Sequence, residues 1–406
     1  MSRSLGLLLA IGLIITVGIG GQMWREGAYG TGPQASATPP SGETREIAFV
    51  ANAVGGTVSL VDVADRAVIG TLDVLPDGDS VGLFRDPIQA VAQSYVQGRT
   101  GLNYAQDTDL SRDGRVLFVS RGYLGDVAAF DIASGAIIWR TQIAGLRSDH
   151  MDLSPDGTRL YVSAVLYGGN RVEVLDTETG DTLGSVTAGQ WPHDVHVSPD
   201  GARIYTASLG DMLADLPERD QDADAYLVTV HDTETLERVT AYEFDAGIRP
   251  FVMTRDGGTI YAQLSNTHAI VAHDLASNTQ TGRVDLPVAD GVSEEDWDFD
   301  APHHGLAMTG DDATLCVAGR ASDYAGIVAA PSLSVEATIP VGDAPSWAVL
   351  AQDDSLCLLP NTRSDDVSII DLATRAEIAR LKVGEGPKHI SVGAVPVEVI
   401  AAVTAR

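Results

Sequence analysis

The 406-residue chain is poor in basic charge, cysteine and aromatic rings. Its 26 Lys+Arg stand against 56 Asp+Glu, a formal net charge of −30. Nucleic acids and anionic lipid surfaces are held by clustered Lys and Arg, so neither kind of surface is expected here. Two cysteines are too few for a disulfide framework. Also missing are a phosphate-binding glycine loop, a G-x-G-x-x-G dinucleotide fingerprint and a Cys-x-x-Cys-His haem attachment site. These absences argue against covalent haem c and Rossmann-type redox chemistry. What the chain does have is 44% hydrophobic residues, ample for a core, and 42 glycines, which suit short strands joined by tight turns.

The one long apolar run lies at the N-terminus. Arg3 precedes Leu5 to about Gly21, the charge and hydropathy pattern of an export signal, just long enough to span a bilayer. No small-x-small cleavage site follows directly, so residues 1–24 read as an uncleaved signal anchor in preference to a removed signal peptide. With Arg3 held inside, the rest of the chain is expected outside the cytoplasm, in the periplasm or beyond, tethered to the cytoplasmic membrane. Residues 25–44 are rich in Gly, Pro, Ser and Thr and read as a flexible linker.

From there the sequence repeats. Ser-Pro-Asp-Gly occurs at 154–157 and 198–201, with weaker copies at 111–114, 254–257, 309–312 and 351–354. The unit is about 43 residues, lengthened twice by insertions. An alternating stretch precedes each tetrad, a second strand such as YVSA (161–164) follows, and a third strand ends in Asp, as in VEVLD (172–176). Four short strands per unit predict a β-propeller blade. The first unit lacks an innermost strand, and the last segment, 386–393, has only that strand. Seven blades therefore close when the C-terminus completes blade one. The propeller is expected over 45–395, with 396–406 as a C-terminal tail and the protein a monomer.

These units resemble the YVTN family of seven-bladed propellers in their Ser-Pro-Asp-Gly, Tyr-Val-x-Asn-like and Val-x-Val-Ile-Asp-like stretches. The resemblance covers roughly 46–395 and implies the fold. The wider superfold includes haem-binding propellers of periplasmic nitrite reductases, lactone-processing enzymes and amine dehydrogenase heavy chains, so it does not select one function.

The repeat can be aligned against itself by counting back from the first residue of each tetrad. Positions −1 and −3 are almost all apolar and should pack between blades. Positions −4 and −2 are polar in blades one to four: Asp107 and Asp109, His150 and Asp152, Asp194 and His196, His389 and Ser391. At −5 the ring reads Gln106, Asp149, His193, Arg249, His304, Ser346, Lys388, which implies a wet, ligand-accessible channel. Three long loops, 76–104, 211–225 and 290–302, should emerge on that same rim. In them, 85–97 has the spacing of a helical lid, and Glu294–Asp298 is acidic enough to gate cations.

Five histidines, 150, 193, 303, 304 and 389, reach the mouth from different blades. Of these, His150, His193, His304 and His389 are the candidate metal ligands, for copper, zinc or iron. Arg249 and Lys388, flanked by Trp191 and Trp347, are the candidate cofactor- or anion-binding residues. His231 and His273 read as hydrogen-bonded structural residues, and the Asp ending each third strand as a turn cap. Cys316 and Cys357 hold equal positions in neighbouring blades, which places them too far apart for a bridge, so free thiols are expected. The functional expectation is a binding protein presenting its mouth to a small molecule, metal or partner protein. The alternative is a metal- or tetrapyrrole-dependent periplasmic oxidoreductase or another propeller enzyme.

Overall fold

The computed structural model describes residues 35–406 except 37, 80–89, 92, 95–96, 99–100, 146, 166–169, 213, 215–217, 219, 221 and 223–224. The expected signal anchor, most of the linker and most of the 85–97 lid lie outside the described residues. Among the described residues no helix is long and apolar enough to cross a membrane.

Seven four-stranded antiparallel sheets follow one another along the chain, each a blade. Their innermost strands are Asp107–Leu110, Arg147–Leu153, Pro192–Val197, Ile248–Met253, Leu306–Met308 and Val349–Ala351 for blades two to seven. Blade one is completed by Pro387–Pro396, which pairs with Thr44–Asn52 so that Phe49 faces Ser391 and Ala51 faces His389. Closure by the C-terminal strand removes the open sheet edges that would otherwise template association.

The tetrads form the turns their chemistry predicts. The Ser154 hydroxyl donates to Asp156 at 2.6 Å and accepts the Arg159 N–H at 2.9 Å, while Gly157 takes φ +75°. The third-strand Asp caps the next turn, as when Asp371 accepts the Thr374 N–H at 2.7 Å. Period-two alternation then assigns the apolar face to the blade interfaces. Ile47, Phe49 and Leu60 of blade one are buried against Leu117, Val119 and Phe130 of blade two. Burying each such side chain contributes about 1.5–3 kcal/mol.

One expectation is overturned, and the tail gains a structure. The tail is ordered: Val397–Thr404 forms a helix whose Val399 and Val403 are buried against blade one. Gly70 makes room for it, because a Cβ there would lie 2.3 Å from Val403 Cγ1. The cysteines are bridged, contrary to the expectation of free thiols. Cys316 and Cys357 sit on the second strands of blades six and seven with a Cα–Cα distance of 6.5 Å, and no cysteine is free. Second strands lie close to the axis, where adjacent blades have not yet splayed, and 6.5 Å is within the span of a disulfide.

Candidate metal centre

Three innermost strands, and for His304 the stretch just ahead of a fourth, bring four of the five expected histidines to one place. The rings of His150 and His193 stand 4.6 Å apart, those of His193 and His304 5.1 Å, and those of His150 and His389 5.3 Å. His150, His193 and His304 can each offer one ring nitrogen, and these nitrogens lie within 4.8 Å of one another. A second such set is Asp107, His150 and His389. The residues come from blades one, two, three, four and six, so no local spacing marks the site.

Hydrogen bonds set the tautomers. His304 donates from Nδ1 to the Ser346 carbonyl at 2.8 Å, which leaves its Nε2 to accept the 3.1 Å hydrogen bond from Nε2 of His193. His150 has Nδ1 3.0 Å from Asp107 Oδ2 and so turns Nε2 inward. Such outer partners orient metal-binding imidazoles and raise their basicity. Asp107 itself is fastened by the N–H groups of Thr108 and Met151. His389 Nδ1 is only 2.7 Å from Asp107 Oδ1 but is not aligned for a hydrogen bond, so that contact is an electrostatic one.

The electrostatics separate the imidazoles. Burial, aided by the fields of His150 and Arg249, pushes His193 and His304 well below the usual histidine range and keeps both neutral. Burial also lowers His389, although Asp107 partly opposes it. For His150 burial acts downward too, but the Asp107 hydrogen bond and the fields of Asp149, Asp107 and Asp194 outweigh it and raise the pKa. The neighbouring His196 lies beside Asp194 and Asp152, which overcome its burial and lift it to about 9.

Of the other candidates, Trp347 belongs to the site. It occupies the −4 position of blade seven, stacks on His150 at 4.6 Å and packs at a tilt against His389 at 4.3 Å. Gly305, at −4 of blade six, makes that possible: a Cβ there would meet the Trp347 carbonyl carbon at 2.5 Å. Arg249 donates from Nε to Ser265 at 2.9 Å and from a terminal nitrogen to the Phe299 carbonyl. Lys388 is packed around by protein while keeping part of its surface accessible. Burial and the fields of Arg147, Arg320 and Arg249 bring its ammonium down to about 7. Trp191 is buried at an αL position with its N–H on Asn170, and no ring contact joins it to the four histidines among the described residues.

The mouth is more closed than the polar ring implied. His150, His193, His304 and His389 are all under 8% exposed, because converging side chains fill the narrow axis. The 290–302 loop leans over it. Asp298 pairs with Arg320 at 2.6 Å and Arg363 at 3.2 Å, so it is a structural anchor rather than a free cation gate. His303, expected at the mouth, turns away instead and packs on His268 at 5.0 Å. Arg147 and Arg320, not singled out from the repeat register, complete the surroundings. Two shallow grooves elsewhere, at Tyr261–Leu333 and Asp220–Asp245, lack convergent chemistry of this kind.

The fold and site together define a seven-bladed propeller with a polyhistidine axis. Its fold is similar to that of Kuenenia stuttgartiensis hydrazine synthase, at 19% identity and a TM-score of 0.62 over 87% of this chain and 99% of that one. At that identity the likeness shows the fold alone. No protein-family model matches the chain, and no curated protein matches it in sequence.

Proposed function

We propose that the protein is an extracytoplasmic metal-binding propeller holding a transition ion on His150, His193 and His304. The observation that carries this reading is the convergence of three buried ring nitrogens within 4.8 Å of one another. Two of the three imidazoles have their outer nitrogen committed to Ser346 or Asp107. An all-imidazole set suits zinc, copper or iron. Three protein ligands leave coordination positions open, the arrangement used by metal sites that bind or transform a further ligand. Asp107 and His389 lie beside the set, within reach of such a ligand.

The apolar run after Arg3 supports export, and a buried disulfide suits an oxidising compartment. The test is elemental analysis of the purified full chain after exposure to zinc, copper and iron salts. One ion per chain is expected in the wild type and none in His193→Ala/His304→Ala, with circular dichroism unchanged. A metal-free wild type, or full metal content in the double variant, would overturn the reading.

A further inference from the structure

Lys388 is one of only two lysines in a chain of net charge −30, and it stands beside the three-histidine cluster. Among the described residues no carboxylate lies within ion-pair distance of it. Three arginines flank it. Arg147 is 8% exposed, and its Nε has no hydrogen-bond partner. A terminal nitrogen of Arg147 lies 3.1 Å from Gln106 Oε1, and Gln106 Nε2 is in turn 3.4 Å from His150 Nε2. Arg320 reaches Thr362 at 3.3 Å, whose hydroxyl is 2.7 Å from that of Ser346, the residue that holds His304. Arg249 bonds Ser265 and the Phe299 carbonyl at the same rim.

The neighbouring carboxylates are already committed. Asp149 faces Arg147 at 3.4 Å, and Asp298 pairs with Arg320 and Arg363. Asp107 lies between His150 and His389, and Asp194 takes the Phe251 N–H and His196. A half-buried ammonium without an ion-pair partner and a guanidinium with a spare donor are costly to keep unless a further anion joins them. A planar guanidinium donor and a point ammonium together suit a carboxylate or a small oxyanion.

We propose that the axial mouth binds a small carboxylate or oxyanion between Lys388 and Arg147, next to the three-histidine site. The proposal rests on the metal reading only for what the anion lies beside. An organic carboxylate and an inorganic oxyanion share this chemistry, and the two probes below separate them.

Isothermal titration at constant ionic strength would use sodium formate and sodium sulfate against chloride. It would be run on the full chain, both stripped of metal by chelator and loaded with zinc. One saturable anion per chain is expected, weakened tenfold or more in Lys388→Gln and in Arg147→Gln and unchanged in the remote Arg375→Gln. Lys388→Met serves as a second variant should Lys388→Gln fail to fold. Absence of saturable binding by either anion, or equal binding in all variants, would overturn the proposal. Anion binding that depends on Lys388 in a chain that takes up no metal would refute the metal reading and leave this one standing. Metal uptake with no anion binding would do the reverse.

Discussion

The Cys316–Cys357 bridge gives the most direct quantitative test of the ring. It joins the second strands of blades six and seven across 41 residues of sequence. Closing a loop of that size in the unfolded chain removes entropy worth about 4 kcal/mol at room temperature. Unfolding entropy near 2.1 cal/mol/K per residue, over roughly 350 ordered residues, gives about 0.75 kcal/mol/K, so losing the bridge should lower Tm by about 5 °C. Both sulfurs are buried in the interface formed by Ile327, Ile339, Leu359 and Ile370. Reductant therefore reaches them only on unfolding, and the reduced sample must be made in denaturant and refolded.

Calorimetry would compare oxidised wild type, refolded reduced wild type and Cys316→Ala/Cys357→Ala. The reduced protein should melt about 5 °C below the oxidised one. The double variant should melt lower by a similar or somewhat larger amount, since it also loses packed sulfur, and should not respond to reductant. Two titratable thiols in denatured, unreduced wild type would refute the pairing outright. Identical melting of reduced and oxidised protein would refute the entropy argument.

Two further outcomes follow from the geometry. Deleting residues 385–406 removes the strand paired with Thr44–Asn52 and the helix over Gly70, and should abolish cooperative melting; an unchanged calorimetric transition would contradict closure. At the rim of blade two, fully buried Arg121 binds Asp126 at 2.7 Å and Asp77 at 2.6 Å. Burial acts to raise the Asp77 pKa, but Arg121 and Arg140 outweigh it and hold it below the usual carboxylate value. The stability gap between wild type and Asp77→Asn should be about 1–3 kcal/mol near neutrality. That contribution is fully present above about pH 4 and is lost as pH falls through the depressed folded pKa, so urea denaturation should show the gap narrowing only below about pH 4. A gap constant down to pH 3, or one closing near pH 7, would show that the ion pair is not its source.

The repeat made the architecture legible because each tetrad carries its own turn chemistry, and counting tetrads counts blades. The −5 and −4 positions also located His150, His193, His304 and His389, although strict alternation would turn the two positions to opposite faces. Both reach the axis because strand pairing is irregular there, between Ser148 and Met151, between Pro192 and Val195, and beside His389. That register stopped short where the strand does. Blade six begins its innermost strand only at Leu306, and of the two histidines ahead of it His304 reaches the axis while His303, one position beyond the compared register, faces His268. Arg147 lies two residues before Asp149 and Arg320 follows a second strand, both outside the compared window. The cysteine expectation failed for a geometric reason: equal positions in neighbouring blades are distant at the outer strands but close near the axis. Nothing in one blade's sequence reports that spacing.

Closure and the site are two aspects of one event. The strand Pro387–Pro396 shuts the ring against Thr44–Asn52, and the same strand delivers Lys388 and His389. His389 then meets Asp107 from blade two, whose other oxygen holds His150 from blade three. Trp347 of blade seven packs across both imidazoles. An open ring would leave Asp107 with one imidazole instead of two, and Trp347 without half of its stacking surface. The polar residues at the axis therefore cannot be assigned to function alone. They occupy the one place where every blade must agree in register, and the second cluster, Asp107, His150 and His389, is assembled only after the last strand has paired with the first.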